Sequence, residues 1–234
     1  MGIVGSGLFV AAGLLAGVTA GLAQEQKSFV ACPIVRDTKS APCYLAEYEG
    51  ETYFLGTADD YRDTTAPELK HKVLVEGTVA PGRVCGGIPL KPVVVSVMKE
   101  VDVSCNTLLP PEPGIDAPAA KSEAAPALNG DFTIRYGFDS DQIDARDERV
   151  LTAAAAEAKK DGAKVRVTGY RAATHLSGGE VLTEKAGIAD KRAQKVAALL
   201  RSLGVKEITV DVKDDSHAAD SGAAQRRVEI VLNR

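Results

Sequence analysis

The stretch GYRAATHLSGGEVLTEKAGIADKRAQKV, residues 169–196, gathers Arg171, His175, Glu180, Lys185 and Arg192 around the junction of an expected strand with an expected helix. Guanidinium groups at such a junction suit a carboxylate or a phosphate, because the planar fork donates two parallel hydrogen bonds to two oxygens. A helix N-terminus adds free N–H groups that favour the same ligands. These residue types point to binding and not to turnover. The chain carries no Ser-His-Asp pattern, no free thiol, no His-x-Glu metal set and no glycine-rich phosphate loop, so neither an enzyme nor a metal or cofactor is expected. GIVGSG, residues 2–7, has the glycines of a dinucleotide loop but no strand before it. His175 reads as an exposed loop residue. Glu180, three positions after Ser177, fits the acid of a capping box, with a swing inward to supply an acid at the junction as its lesser option. Asp190 lies two positions before Arg192 and so faces away from it on a helix.

The elements that position these residues begin near Asp131. DFTIRYGFDSDQI alternates Phe132, Ile134 and Tyr136 as a strand does. A helix is expected after Asp144, with acids in its first turn, Lys159 and Lys160 in its last and Gly162 as its stop. AKVRVTGY is a strand, and TEKAGIADKRAQKVAALLRSLGV is a second helix ending at Gly204. EITVDVKDD and AQRRVEIVLNR are two further strands. The order β-α-β-α-β-β predicts an α+β two-layer sandwich with both helices on one sheet face.

Ahead of it, residues 24–108 read as a small all-β domain. CYLAEYEGETYFLG is a hairpin about Glu49-Gly50, HKVLVEGTVA alternates as a strand, and LKPVVVSVMKEVDVSC is one strand or two. Five or so strands in this length suggest a small closed barrel of the OB type. All four cysteines, Cys32, Cys43, Cys85 and Cys105, lie here. Their spacing does not fit zinc knuckles and reads as two disulfides with the pairing open. Residues 109–130 hold five prolines and many alanines and read as a linker.

Composition narrows the function. The 234 residues include no Trp and only 5% aromatics, which argues against carbohydrate and base-stacking platforms. The net charge of −4 argues against nucleic acid as a partner. It is unevenly spread: residues 25–130 carry 10 basic and 15 acidic groups, or −5, and residues 131–234 carry 18 and 17, or +1. Residues 1–23 contain no charged side chain, and Gly21 and Ala23 stand at −3 and −1 of a cut before Gln24. This predicts a secretory signal peptide, with a membrane association only if the segment is retained.

R-A-x-x-V-x-x-x-L-x-x-x-G-V from Arg192 to Val205, with VRVTGY upstream and RRVEIVL at the C-terminus, resembles the OmpA-like, peptidoglycan-associating domain family over residues 131–234. The N-terminal half is not recognised, and the resemblance covers the C-terminal half alone. The resemblance implies a periplasmic, cell-envelope or outer-membrane location in a Gram-negative bacterium. It also implies non-covalent binding of the wall peptide through its diaminopimelate. There an Arg forks onto the ligand carboxylate and an Asp takes its ammonium. Carried over, the Arg is Arg192, the Asp position is Ala172, the neighbouring Thr position is Arg171, and the family's Asn falls on Lys185. The loop through THLSGG is also longer than the family's. The basic half of the clamp is kept and the acidic half is missing. Two functions remain: a wall-associated module working through Arg192 with altered partners, or a divergent domain that has lost the wall and contacts an envelope protein or another anion.

Free-thiol labelling of the unreduced, denatured protein is expected to find no reactive cysteine. Each bridge is worth about 2–4 kcal/mol, and two or more labelled cysteines would overturn the pairing.

Overall fold

The computed structural model describes residue 2 and residues 25–119, 132–218 and 221–233. The apolar leader with its cut before Gln24, and the linker from residue 120, fall outside these. No described helix is long and apolar enough to cross a membrane.

The first half is all β. Its strands are β1 (Gln26–Ala31), β2 (Pro33–Arg36), β3 (Cys43–Tyr48), β4 (Glu51–Thr57), β5 (His71–Val79), β6 (Ile88–Val101) and β7 (Thr107–Leu109), in the sheet order β1-β5-β6-β4-β3-β2-β7. β1 and β2 are two halves of one bent strand with Cys32 between them. The first half pairs with β5 and the second with β3, so the sheet curls into a ring. The expected hairpin forms between β3 and β4, with Glu49 at φ 53° and Gly50 at φ 79°, the positive values that a tight turn of this hand requires. Phe29, Tyr53, Leu55, Val73, Val75 and Leu90 fill the interior. The disulfides Cys32–Cys105 and Cys43–Cys85 cross-link the ring. The start of the proline-rich stretch lies against it, with Ile115 and Ala117 on the cluster around Ile34 and Leu45.

One strand departs from its sequence pattern. Alternation along β5 predicts one buried and one solvent-facing row, yet Leu74 is as buried as Val73 and Val75, and Glu76 is only 8% exposed. Glu76, in the outer row, is met by Thr174, Ala223 and Arg226 of the second half of the chain.

That half contains β8 (Phe132–Arg135), α1 (Ala145–Asp161), β9 (Lys164–Arg171), β10 (Ala173–His175), β11 (Val181–Thr183), α2 (Ile188–Ser202), β12 (Ile208–Asp214) and β13 (Arg227–Asn233). Four strands form one sheet in the order β12-β9-β13-β8. Ile134, Val165, Val167, Val228 and Ile230 meet Leu151, Ala155, Ala193, Val196 and Leu200 of the two helices in a single core. α1 starts and stops where its signals lie: the Asp144 carboxylate accepts the Asp147 N–H, and Gly162 closes the helix at φ 62°. The chain as a whole is therefore α+β. The expected second helix is shortened, because residues 183–187 are not helical. A two-stranded hairpin of β10 and β11 precedes it, where the sequence suggested only a long polar loop.

Asp147 is buried at the start of α1. Burial and the adjacent Asp144 carboxylate push it up to about 7. The folded protein thus holds this proton more tightly than the unfolded chain. Its contribution is complete below the ordinary carboxylate range and is lost as pH rises to about 7. Denaturant titrations are expected to show stability falling across that window, and Asp147→Asn should flatten the fall.

Candidate functional site

Arg192 stands in the second turn of α2 on the face turned to β9. Gly169 allows the close approach, since a Cβ there would lie 2.1 Å from the Ala189 carbonyl oxygen. The guanidinium is fully buried. Nε donates to Ser140 O at 2.7 Å. Nη1 donates to Tyr170 O and to Glu184 Oε2, both at 3.0 Å. Nη2 donates to Gly137 O at 3.1 Å and to Glu184 Oε1 at 2.5 Å. An arginine has five N–H donors, and all five are used. The Tyr136 ring lies against the group, 4.8 Å from centroid to Cζ.

Glu184 is equally buried. Besides the arginine fork, Oε1 accepts the Asp139 N–H at 2.9 Å and Oε2 accepts the Ala172 N–H at 3.0 Å. Two main-chain amides and one guanidinium thus form a socket of four directed donors for a single carboxylate. Such saturation is what makes a buried ion pair tolerable after both ions lose their water.

Of the residues carried over from the family pattern, two bond the Glu184 carboxylate, one bonds its main-chain carbonyl and one bonds the neighbouring Asp139. Arg192 grips the Glu184 carboxylate and Ala172 gives it an amide. Arg171 donates Nε to the Glu184 carbonyl at 2.7 Å and Nη1 to Asp214 at 2.8 Å. Hydrogen bonds from Ser216, then from Arg171, hold Asp214 down at about 2. Lys185 donates its amide to Asp139 Oδ1 at 2.7 Å, and its exposed ammonium lies 3.7 Å from Asp139 Oδ2 and 3.9 Å from Glu100.

Two expectations are corrected. The Ser177–Glu180 capping box does not form, because these residues make the tip of the β10–β11 hairpin, where Leu176 N–H donates to Glu180 O. The cap of α2 is instead Gly187, at φ 82°, without a side-chain bond. Glu180 and His175 are exposed and do not reach Arg192. The acid that pairs with Arg192 is Glu184, which the sequence pattern assigns to the second helix but which precedes that helix's start at Ile188. Its signal was present all the same: an arginine on an apolar helix face demands a carboxylate.

A second arginine repeats the theme across the two halves. Arg226 is fully buried and pairs with Glu76 of β5. Its Nη1 also donates to Thr174 Oγ1 at 2.8 Å, and Thr174 donates to Glu76 at 3.0 Å. The Ala223 N–H reaches the same carboxylate at 3.0 Å. Arg227 behaves differently and lies over the Tyr170 ring at 3.8 Å. Among the described residues no cluster of His, Cys, Asp or Glu could hold a metal ion.

No family model and no curated protein matches the chain. Among solved structures it is similar to the OmpA-like domain of FopA1 from Francisella tularensis, at 21% identity over 45% of this chain and 75% of that one, with a TM-score of 0.34. It is also similar to the peptidoglycan-associated lipoprotein from Burkholderia pseudomallei, at 20% identity over 43% and 89%, TM-score 0.35. A third is the cell wall anchor of the type VI secretion system (T6SS) from Pseudomonas aeruginosa, at 24% identity over 44% and 80%, TM-score 0.34.

Removing one member of the buried pair strands the other. Arg192→Ala or Glu184→Ala is expected to cost about 3–5 kcal/mol in chemical denaturation. The double variant should cost far less than the sum, and additive losses would show that the two side chains are not coupled.

Proposed function

We propose that this chain is an exported cell-envelope protein in which a small OB-type barrel is joined to an OmpA-like domain, and that the domain's wall-peptide site is kept shut by Glu184. One observation carries this reading: every donor of Arg192 is already taken, two of them by the chain's own carboxylate. The next residue strengthens it. The Lys185 ammonium sits beside the Asp139 carboxylate. Glu184-Lys185 therefore carries a carboxylate and an ammonium on adjacent residues, the two kinds of charge that diaminopimelate carries. The acid missing at Ala172 is supplied in this reading by Asp139, whose amide already forms one wall of the socket.

The periplasm is the proposed location, with the leader removed. The OB assignment of residues 24–108 is supported by the ring in which the bent first strand pairs with both β3 and β5 while β4 meets β6 in parallel. The barrel is proposed as an interaction module and not as a binder of nucleic acid.

The competing reading, a domain that has lost the wall and serves an anion or an envelope protein, starts from the same filled socket. Co-sedimentation with purified sacculi separates the two. The wild-type chain is expected to stay in the supernatant, Glu184→Ala to pellet, and Glu184→Ala with Arg192→Ala to stay in solution. Acetate should raise the thermal midpoint of Glu184→Ala and leave the wild type unmoved, because a ligand of the native state stabilises by mass action. Pelleting of the wild type through Arg192 would refute the shut site. A Glu184→Ala protein that responds to acetate yet ignores sacculi would hand the function to the competing reading.

A further inference from the structure

The segment that fills the socket is also the segment that holds the two halves of the chain together. The β10–β11 hairpin leaves β9 at Ala172 and returns at Glu184. At its tip, Ser177 N–H donates to Ser28 O of β1 at 2.7 Å, and Ser28 N–H donates to Ser177 Oγ at 3.0 Å. At its base, Thr174 is built into the Glu76–Arg226 pair, and the Ala173 N–H donates to Ser221 Oγ at 2.7 Å. Beyond its end, the Lys185 ammonium lies near Glu100 of β6. The barrel thus touches this short excursion at its tip, at its base and just past the acid.

We propose that the barrel is a latch on the socket: while it is docked it fixes the hairpin and keeps Glu184 in place, and when it undocks the hairpin loosens, Glu184 withdraws and Arg192 becomes available to an external carboxylate. The inference rests on the shut-site reading and adds what controls the shutting.

The physical basis is connectivity. Glu184 follows directly on Thr183 of β11, which among the described residues pairs with β10 alone. A hairpin of three residue pairs has little stability of its own and depends on what it packs against. Much of that support comes from the barrel. The Glu76–Arg226 pair is the most deeply buried ion pair of the contact between the halves. It joins two fully or nearly buried charges, and breaking it leaves an ion without a partner. The two arginine networks also share a short run of backbone. Tyr136 O accepts from Arg226 at 3.4 Å, while Gly137 O and Ser140 O accept from Arg192. Disturbance at Glu76 has two routes to the socket, one through Thr174 and the hairpin, the other through residues 136–140.

The test uses the full chain with Glu76→Ala, and with Glu76→Ala plus Ser28→Cys and Ser177→Cys oxidised to tie the hairpin tip back to β1. Amide hydrogen exchange reads the socket without a ligand, through the Ala172 and Asp139 N–H groups that Glu184 protects. Glu76→Ala is expected to speed exchange at both by at least tenfold, together with the hairpin, and to raise the pelleted fraction with sacculi. The cross-link should reverse both effects. Thr174→Val weakens the same latch without stranding a charge and serves in place of Glu76→Ala if that variant does not fold. Were Ala172 and Asp139 to stay protected while the Ala223 N–H, freed from Glu76, exchanges quickly, the latch would be refuted. If in that case Glu184→Ala still bound sacculi, the shut-site reading would stand without it. Rapid exchange at the socket in Glu76→Ala with no pelleting of either variant would uphold the latch and overturn the wall as ligand.

Discussion

A guanidinium withdrawn from water must be met by a carboxylate and by carbonyl oxygens for its remaining donors, and in this chain that demand is made twice. Arg192 and Arg226 are both fully buried. The residues from Tyr136 to Ser140 serve both, offering the Tyr136 carbonyl to Arg226 and the Gly137 and Ser140 carbonyls to Arg192. Their rings are divided in the same way, Tyr136 against Arg192 and Phe138 against Arg226. The positive φ of Asp139, 53°, turns the chain so that its amide can reach Glu184. Much else follows from satisfying these two ions: the close seat of α2 on Gly169, the hairpin that delivers Glu184, and the burial of Glu76 on the outer row of a barrel strand.

Neither pair is explained by stability. Exchanging a buried ion pair for apolar side chains of similar volume is often neutral or favourable, because the desolvation of two charges offsets their attraction. What such a pair does provide is intolerance of alternatives, since any arrangement that separates the partners leaves a charge in the interior. Glu76–Arg226 therefore specifies how the two halves dock, and Glu184–Arg192 specifies where the hairpin ends. Both choices are discrete, which is the property a two-state element needs.

The elements with local signals were legible in the sequence. The Glu49-Gly50 turn, the Asp144 cap and Gly162 stop of α1, and the apolar face of α2 each rest on a few neighbouring residues, and each is present. The hairpin was not legible. Its strands are three residues long, Ser177, Gly178 and Gly179 at its tip look like any polar loop, and Glu184 and Lys185 are good helix formers. Tertiary demand overrode that propensity: Glu184 reaches Arg192 only if the helix waits until Gly187. The site was half legible for a related reason. Arg192, Arg171, Ala172 and Lys185 were found because they sit on expected elements near a family pattern. Glu184, Asp139 and Glu76 lie in irregular segments or on a strand whose exposed row seemed destined for water, and only long-range contact gives them their roles.

An internal carboxylate is a demanding competitor for any external one. A group held on a short connection faces its site at an effective concentration on the order of millimolar or above, so a free ligand at lower concentration cannot displace it on equal contacts. A ligand that binds the open and shut forms alike shifts nothing however tightly it binds. On the proposed shut-site reading, opening would come from elsewhere, either from loss of the contacts that hold the hairpin or from a ligand presented many times over on one surface. Crosslinked wall is such a surface, and a docked barrel is such a restraint. The sequence of Glu184-Lys185 adds a further consequence. In the proposed open state its departure would leave the Arg192 guanidinium and two amides near the Asp139 carboxylate, so a ligand's net charge and the place of any ammonium on it would decide between a zwitterion and a simple anion.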